Sequence, residues 1–199
     1  MLWSLLLASL IPLASAATPI CAASAADLPS QGDDPRLQGR SVVVVEKAAR
    51  RMGLYTEGKL VSVDDVPACW QTALAPGAPL GPKLQEGDLR TPEGWYRTSD
   101  KSWSSFYGAI AVHYPNHQDA QRGLDDKRID VGVRDTIVSA LQGGLKPPQA
   151  TPLGGEILIH GGGSSADWTL GCVALDDDHM DIIRGQLPKG MRTWVLILP

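Results

Sequence analysis

Residues 41–47 read SVVVVEK, and this run commits the chain to a fold built on strands. Consecutive β-branched side chains are stiff at χ1, fit poorly in a helix and pack well on a pleated sheet. Other segments extend the same reading. Residues 52–63 (MGLYTEGKLVSV) alternate about Glu57-Gly58 as a hairpin does, giving two strands of one meander. The turn Thr91-Pro92-Glu93-Gly94 leads into Trp95-Tyr96-Arg97, and residues 106–114, 156–159 and 193–198 read as further strands. Residues 75–82 (APGAPLGP) form a loop by composition.

Helical periodicity enters twice. In residues 130–142, Val133, Ile137 and Leu141 fall four apart on one face, Asp130 caps the start and Gly143-Gly144 ends it. Residues 176–187 (DDDHMDIIRGQL) read as a second helix, whose acidic start suits the positive end of a helix dipole. There is no internal repeat, coiled coil or low-complexity tract. The expected fold class is mainly β (α+β), one β-sandwich-like domain with a few short helices.

The N-terminus has a different character. Residues 2–16 (LWSLLLASLIPLASA) are apolar, interrupted by Pro12 and shorter than the roughly 20 residues that span a bilayer. They read as a secretory leader, although no Lys or Arg precedes Arg36. Small residues offer two cleavage points, one at Ala14-Ser15-Ala16 and one ending at Ala25. An uncleaved anchor, or a lipoprotein modified at Cys21, are the alternatives. The expected organisation is a signal peptide over 1–25, a Pro/Gly-rich linker over 26–40 and a catalytic domain over 41–199. Export places the protein in the periplasm or cell envelope, with no stable membrane span once the leader is removed. Under that boundary Cys69 and Cys172 remain, and Cys69, between Ala68 and Trp70, reads as a small buried hydrophobe.

Charge excludes one class of function. With 18 basic and 22 acidic residues the net charge is −4, so the chain lacks the basic footprint of a nucleic-acid binder. A monomer is the default.

The chemistry gathers in residues 157–175, ILIHGGGSSADWTLGCVAL. His160 ends a strand and is followed by three glycines. Cys172 comes 12 positions later, preceded by Gly171. A free thiol is mostly protonated at neutral pH, and a neighbouring imidazole accepts its proton to make the nucleophilic thiolate. Gly171 lets backbone approach the reacting carbonyl, and N–H groups at Gly171 and Cys172 are suited to hold an oxyanion. The spacing of His113 and His117 would suit a metal on a helix, but Pro115 lies between them.

This segment resembles the signature of the YkuD-type L,D-transpeptidase catalytic domain. The matching positions are His160-Gly161 and Thr169-Leu170-Gly171-Cys172. Separated motifs extend the likeness in the family's order. They are Gly81-Pro82-Lys83 with Glu86-Gly87-Asp88, the run from Arg90 to Tyr96, Tyr114-Pro115-Asn116, and Pro147-Pro148-Gln149 with Leu153-Gly154-Gly155. The last two are similar to a branch that includes YafK-like proteins.

The resemblance implies a mainly β domain, without metal or cofactor, acting on the stem peptides of peptidoglycan. By position Cys172 is the nucleophile, His160 the base and Gly171 the oxyanion residue. Gly161, Thr169, Trp168, Tyr114 and Arg90 are expected at the substrate. Thr169 also orders the loop, Trp168 is equally compatible with packing, and Arg90 and Lys83 either meet substrate carboxylates or lie on a solvated surface. The chain departs from the family pattern at Leu170, where many members have His, at Ala174, where many have Arg, and at Ala111, where His is frequent. The implied reaction is acyl transfer through a Cys172 thioester. Hydrolysis of the same bonds or of a wall–lipoprotein link, and non-catalytic wall binding, are the alternatives.

Overall fold

The computed structural model describes residues 20–29, 32–77 and 79–199; the leader expected over residues 2–16 lies outside them. The four valines form β1 (Val42–Glu46), which is buried along its whole length. Alternation explains how. Val43 and Val45 enter the main core with Met52, Leu54, Tyr96 and Val195, while Val42 and Val44 enter a second cluster on the opposite face. A strand covered on both faces needs apolar residues without a break.

β1 pairs antiparallel with β2 (Arg51–Thr56) and parallel with β11 (Trp194–Leu198). From β11 the sheet runs through β7 (Gly94–Asp100), β8 (Ile110–Val112) and β9 (Leu158–His160) to β10 (Val173–Ala174). From β1 it runs through β2 to β3 (Lys59–Leu60) and β6 (Cys69–Gln71). Strands β4 (Ser62–Val63) and β5 (Val66–Pro67) form a separate ribbon. Ala73, just beyond β6, exchanges two backbone hydrogen bonds of 2.9 Å with Ala174. The two margins of the sheet therefore meet, and the expected β-sandwich is realised as one curled mixed sheet closed around the main core.

Three helices complete the described residues. α2 (Val131–Gln142) begins at the predicted cap, where Asp130 accepts from the Val133 N–H at 2.8 Å. α3 (Asp177–Gln186) buries Met180 and Ile183. α1 (His117–Asp125) was not anticipated. Pro115 does exclude a helix through 113–117, but Asn116 and Asp119 form a reciprocal capping box that starts one immediately afterwards. The strand expected over 106–114 shrinks to Ile110–Val112.

Two expectations for the N-terminal part need correction. Residues 26–40 are not a bare linker: Leu28 and Leu37, with Ala25, cover the outer face of the sheet against Val42, Val44, Tyr55 and Leu196. Short 3-10 turns at Ala25–Asp27 and Pro35–Gln38, capped by Ser24 and Asp34, shape this cover. Cys69 is not a free hydrophobe but is disulfide-bonded to Cys21. A Cβ on the intervening Gly53 would lie 3.2 Å from the Cys21 sulfur and 2.8 Å from the Tyr55 ring, so glycine makes room for the bridge. A leader boundary after Ala25 would cut away half of this disulfide; one after Ala16 retains it.

Candidate active site

Parallel pairing of β9 with β10 sets His160 beside Ala174 and Ile159 beside Val173. Ile159 and Val173 point into the main core. The alternate residues Leu158, His160 and Cys172 therefore emerge on the outer face. There Cys172 packs against a small apolar floor of Ala109, Ala111 and Leu158. Its sulfur accepts the Leu158 N–H at 3.4 Å and donates to the Glu156 carbonyl at 3.6 Å.

His160 is only 1% exposed. Phe106 stacks on its ring at 4.3 Å between centroids, and Trp168 meets it edge-on at 5.4 Å. Nδ1 lies 2.6 Å from the Gly161 carbonyl. A carbonyl only accepts, so Nδ1 carries the proton and Nε2 keeps its lone pair. Among the described residues no hydrogen bond joins Cys172 to His160. Burial lowers the His160 pKa, partly opposed by the Gly161 carbonyl. Burial raises the Cys172 thiol, partly opposed by the Leu158 N–H and by Lys101 and Lys83. Both shifts favour the neutral thiol–imidazole form at rest over a preformed ion pair.

The turn before the cysteine is tightly held. Thr169 Oγ1 donates to the Cys172 carbonyl at 2.9 Å and accepts the Gly171 N–H at 3.3 Å. Gly171 has φ of 119°, and a Cβ there would lie 2.8 Å from the Arg90 carbonyl. Only glycine fits both conditions.

Arg90 thus meets the site through its backbone. Behind it, Asp88 accepts from the N–H groups of Leu84, Gln85 and Arg90 and from Lys83 Nζ. Lys83 is buried and engaged there, neither solvated nor turned to a ligand. The Gly-Pro-Lys and Glu-Gly-Asp motifs are therefore a brace for the wall against Gly171.

The loop from Gly161 to Thr169 is pinned from two sides. Asp177 accepts from the Gly162 N–H at 2.8 Å, and Asp176 from the Ser164 N–H at 2.8 Å and hydroxyl at 3.0 Å. On the other side Asp167 pairs with Arg50 at 2.8 Å and accepts the Leu74 N–H. The Leu74 carbonyl in turn accepts from Trp168 and Thr169. Neither clamp was visible in the sequence, because each joins residues distant along the chain.

The remaining expected residues divide. Trp168, 40% exposed, stands at the rim with Phe106, which sequence reasoning missed by placing it in a strand. Gly161 is a packing position, since a Cβ would lie 2.2 Å from an Asp177 carboxylate oxygen. Tyr114 is a correction: it is fully buried, and its hydroxyl donates to the Leu153 carbonyl at 3.1 Å, so its ring is core and not substrate surface. His113 is also buried, with Nε2 2.9 Å from Ser99 Oγ, whereas His117 opens α1 at the surface.

Comparison with known proteins finds a family and several similar proteins. The YkuD family, the L,D-transpeptidase catalytic domain, matches residues 40–197. YafK of Escherichia coli (strain K12) is 41% identical over 51 residues, covering 24% of this chain and 21% of YafK. The K307A mutant of Pgp2, the helical cell shape determining protein of Campylobacter jejuni, is similar with a TM-score of 0.51. That match is 25% identical and covers 80% of this chain and 47% of Pgp2. Bd1075 of Bdellovibrio bacteriovorus gives a TM-score of 0.47 at 20% identity, over 80% of this chain and 48% of Bd1075. The chain spans about half the length of these structural relatives.

Proposed function

Because the chain belongs to the YkuD L,D-transpeptidase catalytic domain family, we propose that it is an exported cysteine acyltransferase acting on peptidoglycan stem peptides. The observation that carries the reading is the emergence of Cys172 and His160 on one face of adjoining strands, with the His160 tautomer fixed by Gly161.

His160 Nε2 takes the Cys172 proton as the sulfur attacks a stem-peptide amide carbonyl. Sulfur–carbon bond formation gives a tetrahedral oxyanion, which the N–H groups of Gly171 and Cys172 stabilise. Collapse breaks the C–N bond, and His160 returns its proton to the departing amine. The resulting Cys172 thioester is attacked by a second amine, which restores an amide and the free thiol. The neutral resting pair makes this general-base catalysis, with proton transfer coupled to attack.

Export rests on the apolar leader and on the Cys21–Cys69 disulfide, which suits an oxidising compartment. The same disulfide favours a leader ending at Ala16. A role in cell-wall assembly and cell shape is supported by the likeness to Pgp2.

The test is incubation of the purified protein and its Cys172→Ala variant with defined muropeptides, followed by mass spectrometry. A cross-linked or terminally exchanged product that the variant does not make supports transpeptidation. A hydrolysed product alone assigns water as acceptor, and no cysteine-dependent product argues against the enzyme.

A further inference from the structure

The outer face that carries Cys172 continues across the sheet beyond the catalytic pair. Register sets Ser99 beside Ala111 and Ala111 beside Leu158, the floor against which Cys172 packs. Strands lie about 4.8 Å apart, so Ser99 stands three intervals, roughly 14 Å, from the cysteine. An extended peptide covers that span in about four residues. Ala109, Ala111 and Leu158 are themselves buried, so the row gives the direction and the distance from the sulfur to the far end of this face.

At the far end of this row is a cavity of about 510 Å³, with Arg97, Ser99, His113, Lys146 and Arg192 in its wall. The wall holds three cations and, among the described residues, no acidic side chain. Arg97 lies 3.8 Å over the Trp194 ring, a stack that leaves its in-plane donors available. Neither Arg97 nor Arg192 has a carboxylate partner among the described residues. Lys146 shares a single carboxylate, Glu156, with Lys101. The pKa of buried His113 is brought down to about 4, first by burial and then by Lys146, Arg192 and Arg97. All three cations thus act on one uncharged ring, which offers hydrogen bonding without further charge.

We propose that Arg97, Lys146 and Arg192 form a carboxylate-binding subsite for the peptide whose amide is attacked at Cys172. The assignment rests on the acyl-transfer reading, and it identifies the substrate as a peptide bearing a free carboxylate within a few residues of the scissile bond. The cations hold that carboxylate about four extended residues from the sulfur.

The test uses two peptides that differ only in whether this carboxylate is free or amidated. With the full-length protein, KM is expected to be about tenfold lower for the free acid. Arg97→Gln with Arg192→Gln, and separately Lys146→Gln, should raise KM for the acid about tenfold and so remove most of the difference between acid and amide, with alkylation of Cys172 by iodoacetamide reporting on access to the sulfur. Arg97→Lys should restore part of the preference. Equal handling of acid and amide by the unaltered protein, or equal losses on both peptides in the variants, would overturn the subsite. If no peptide is turned over, binding of the same two peptides to the Cys172→Ala protein separates the questions. An acid preference that depends on Arg97 and Arg192 sustains the subsite while the acyl-transfer reading fails, and its absence removes both.

Discussion

Gly171 is the residue on which the geometry depends most sharply. Its left-handed φ and the 2.8 Å approach to the Arg90 carbonyl mean that Gly171→Ala combines backbone strain of about 1–3 kcal/mol with a steric clash. Relief requires the Cys172 turn to move. We predict a fall in turnover of at least about 100-fold, since small displacements of reacting groups cost that much, with far-UV circular dichroism unchanged. His160 supplies a second prediction at this scale. Its depressed pKa keeps the imidazole neutral and basic at neutral pH, and protonation at lower pH removes the base. The rate of Cys172 acylation should therefore rise with pH along a limb centred below the usual histidine value, and His160→Ala should abolish the limb. A rate already maximal at pH 4 would indicate a preformed ion pair instead.

Elements hold these residues through contacts that do not follow the backbone. Breaking the Arg50–Asp167 pair by Asp167→Asn weakens a clamp on the catalytic loop while leaving the sheet intact. About tenfold lower kcat is expected, with faster hydrogen exchange at the Trp168 and Thr169 amides and a nearly constant Tm. Unchanged exchange at those amides would count against the clamp. The same distinction governs how far the sequence could be read. The valine run, the 130–142 helix and the His160 and Cys172 positions were legible, because each is written locally as a period, a cap or a motif. α1 was missed because HQDAQRGLD is almost wholly polar and buries only Asp119, Ala120 and Gly123; its signal was the Asn116–Asp119 box. Residues 26–40 passed for a linker because their burial rests on sparse apolar residues, Leu28 and Leu37. Phe106 looked like strand, whereas its ring stacks on His160 from a loop.

At the scale of the whole molecule, the Cys21–Cys69 bridge ties the N-terminal cover to the sheet across a sequence separation of 48 residues. On a chain-entropy basis such a link stabilises by up to about 4 kcal/mol. Replacing both cysteines with serine should lower the urea midpoint accordingly while Cys172 stays reactive. His113 adds a pH dependence. Its pKa is about 4 in the folded protein against 6.5 for the free group, so its contribution is complete above about pH 6.5 and is lost as pH falls towards 4. The loss amounts to about 3 kcal/mol and should be absent in His113→Asn, as read from urea unfolding at pH 7 and pH 4.5. These effects surround one central claim, that Cys172 carries the acyl group of a wall peptide. It is tested most directly by quenching the reaction with a stem-peptide substrate early in turnover and mapping the digested protein by mass spectrometry. An acyl adduct on Cys172 is expected that forms and decays at the rate of product formation, fails to form in Cys172→Ala and forms far more slowly in His160→Ala. Product formation that persists in Cys172→Ala, or an adduct whose formation is indifferent to His160, would contradict it.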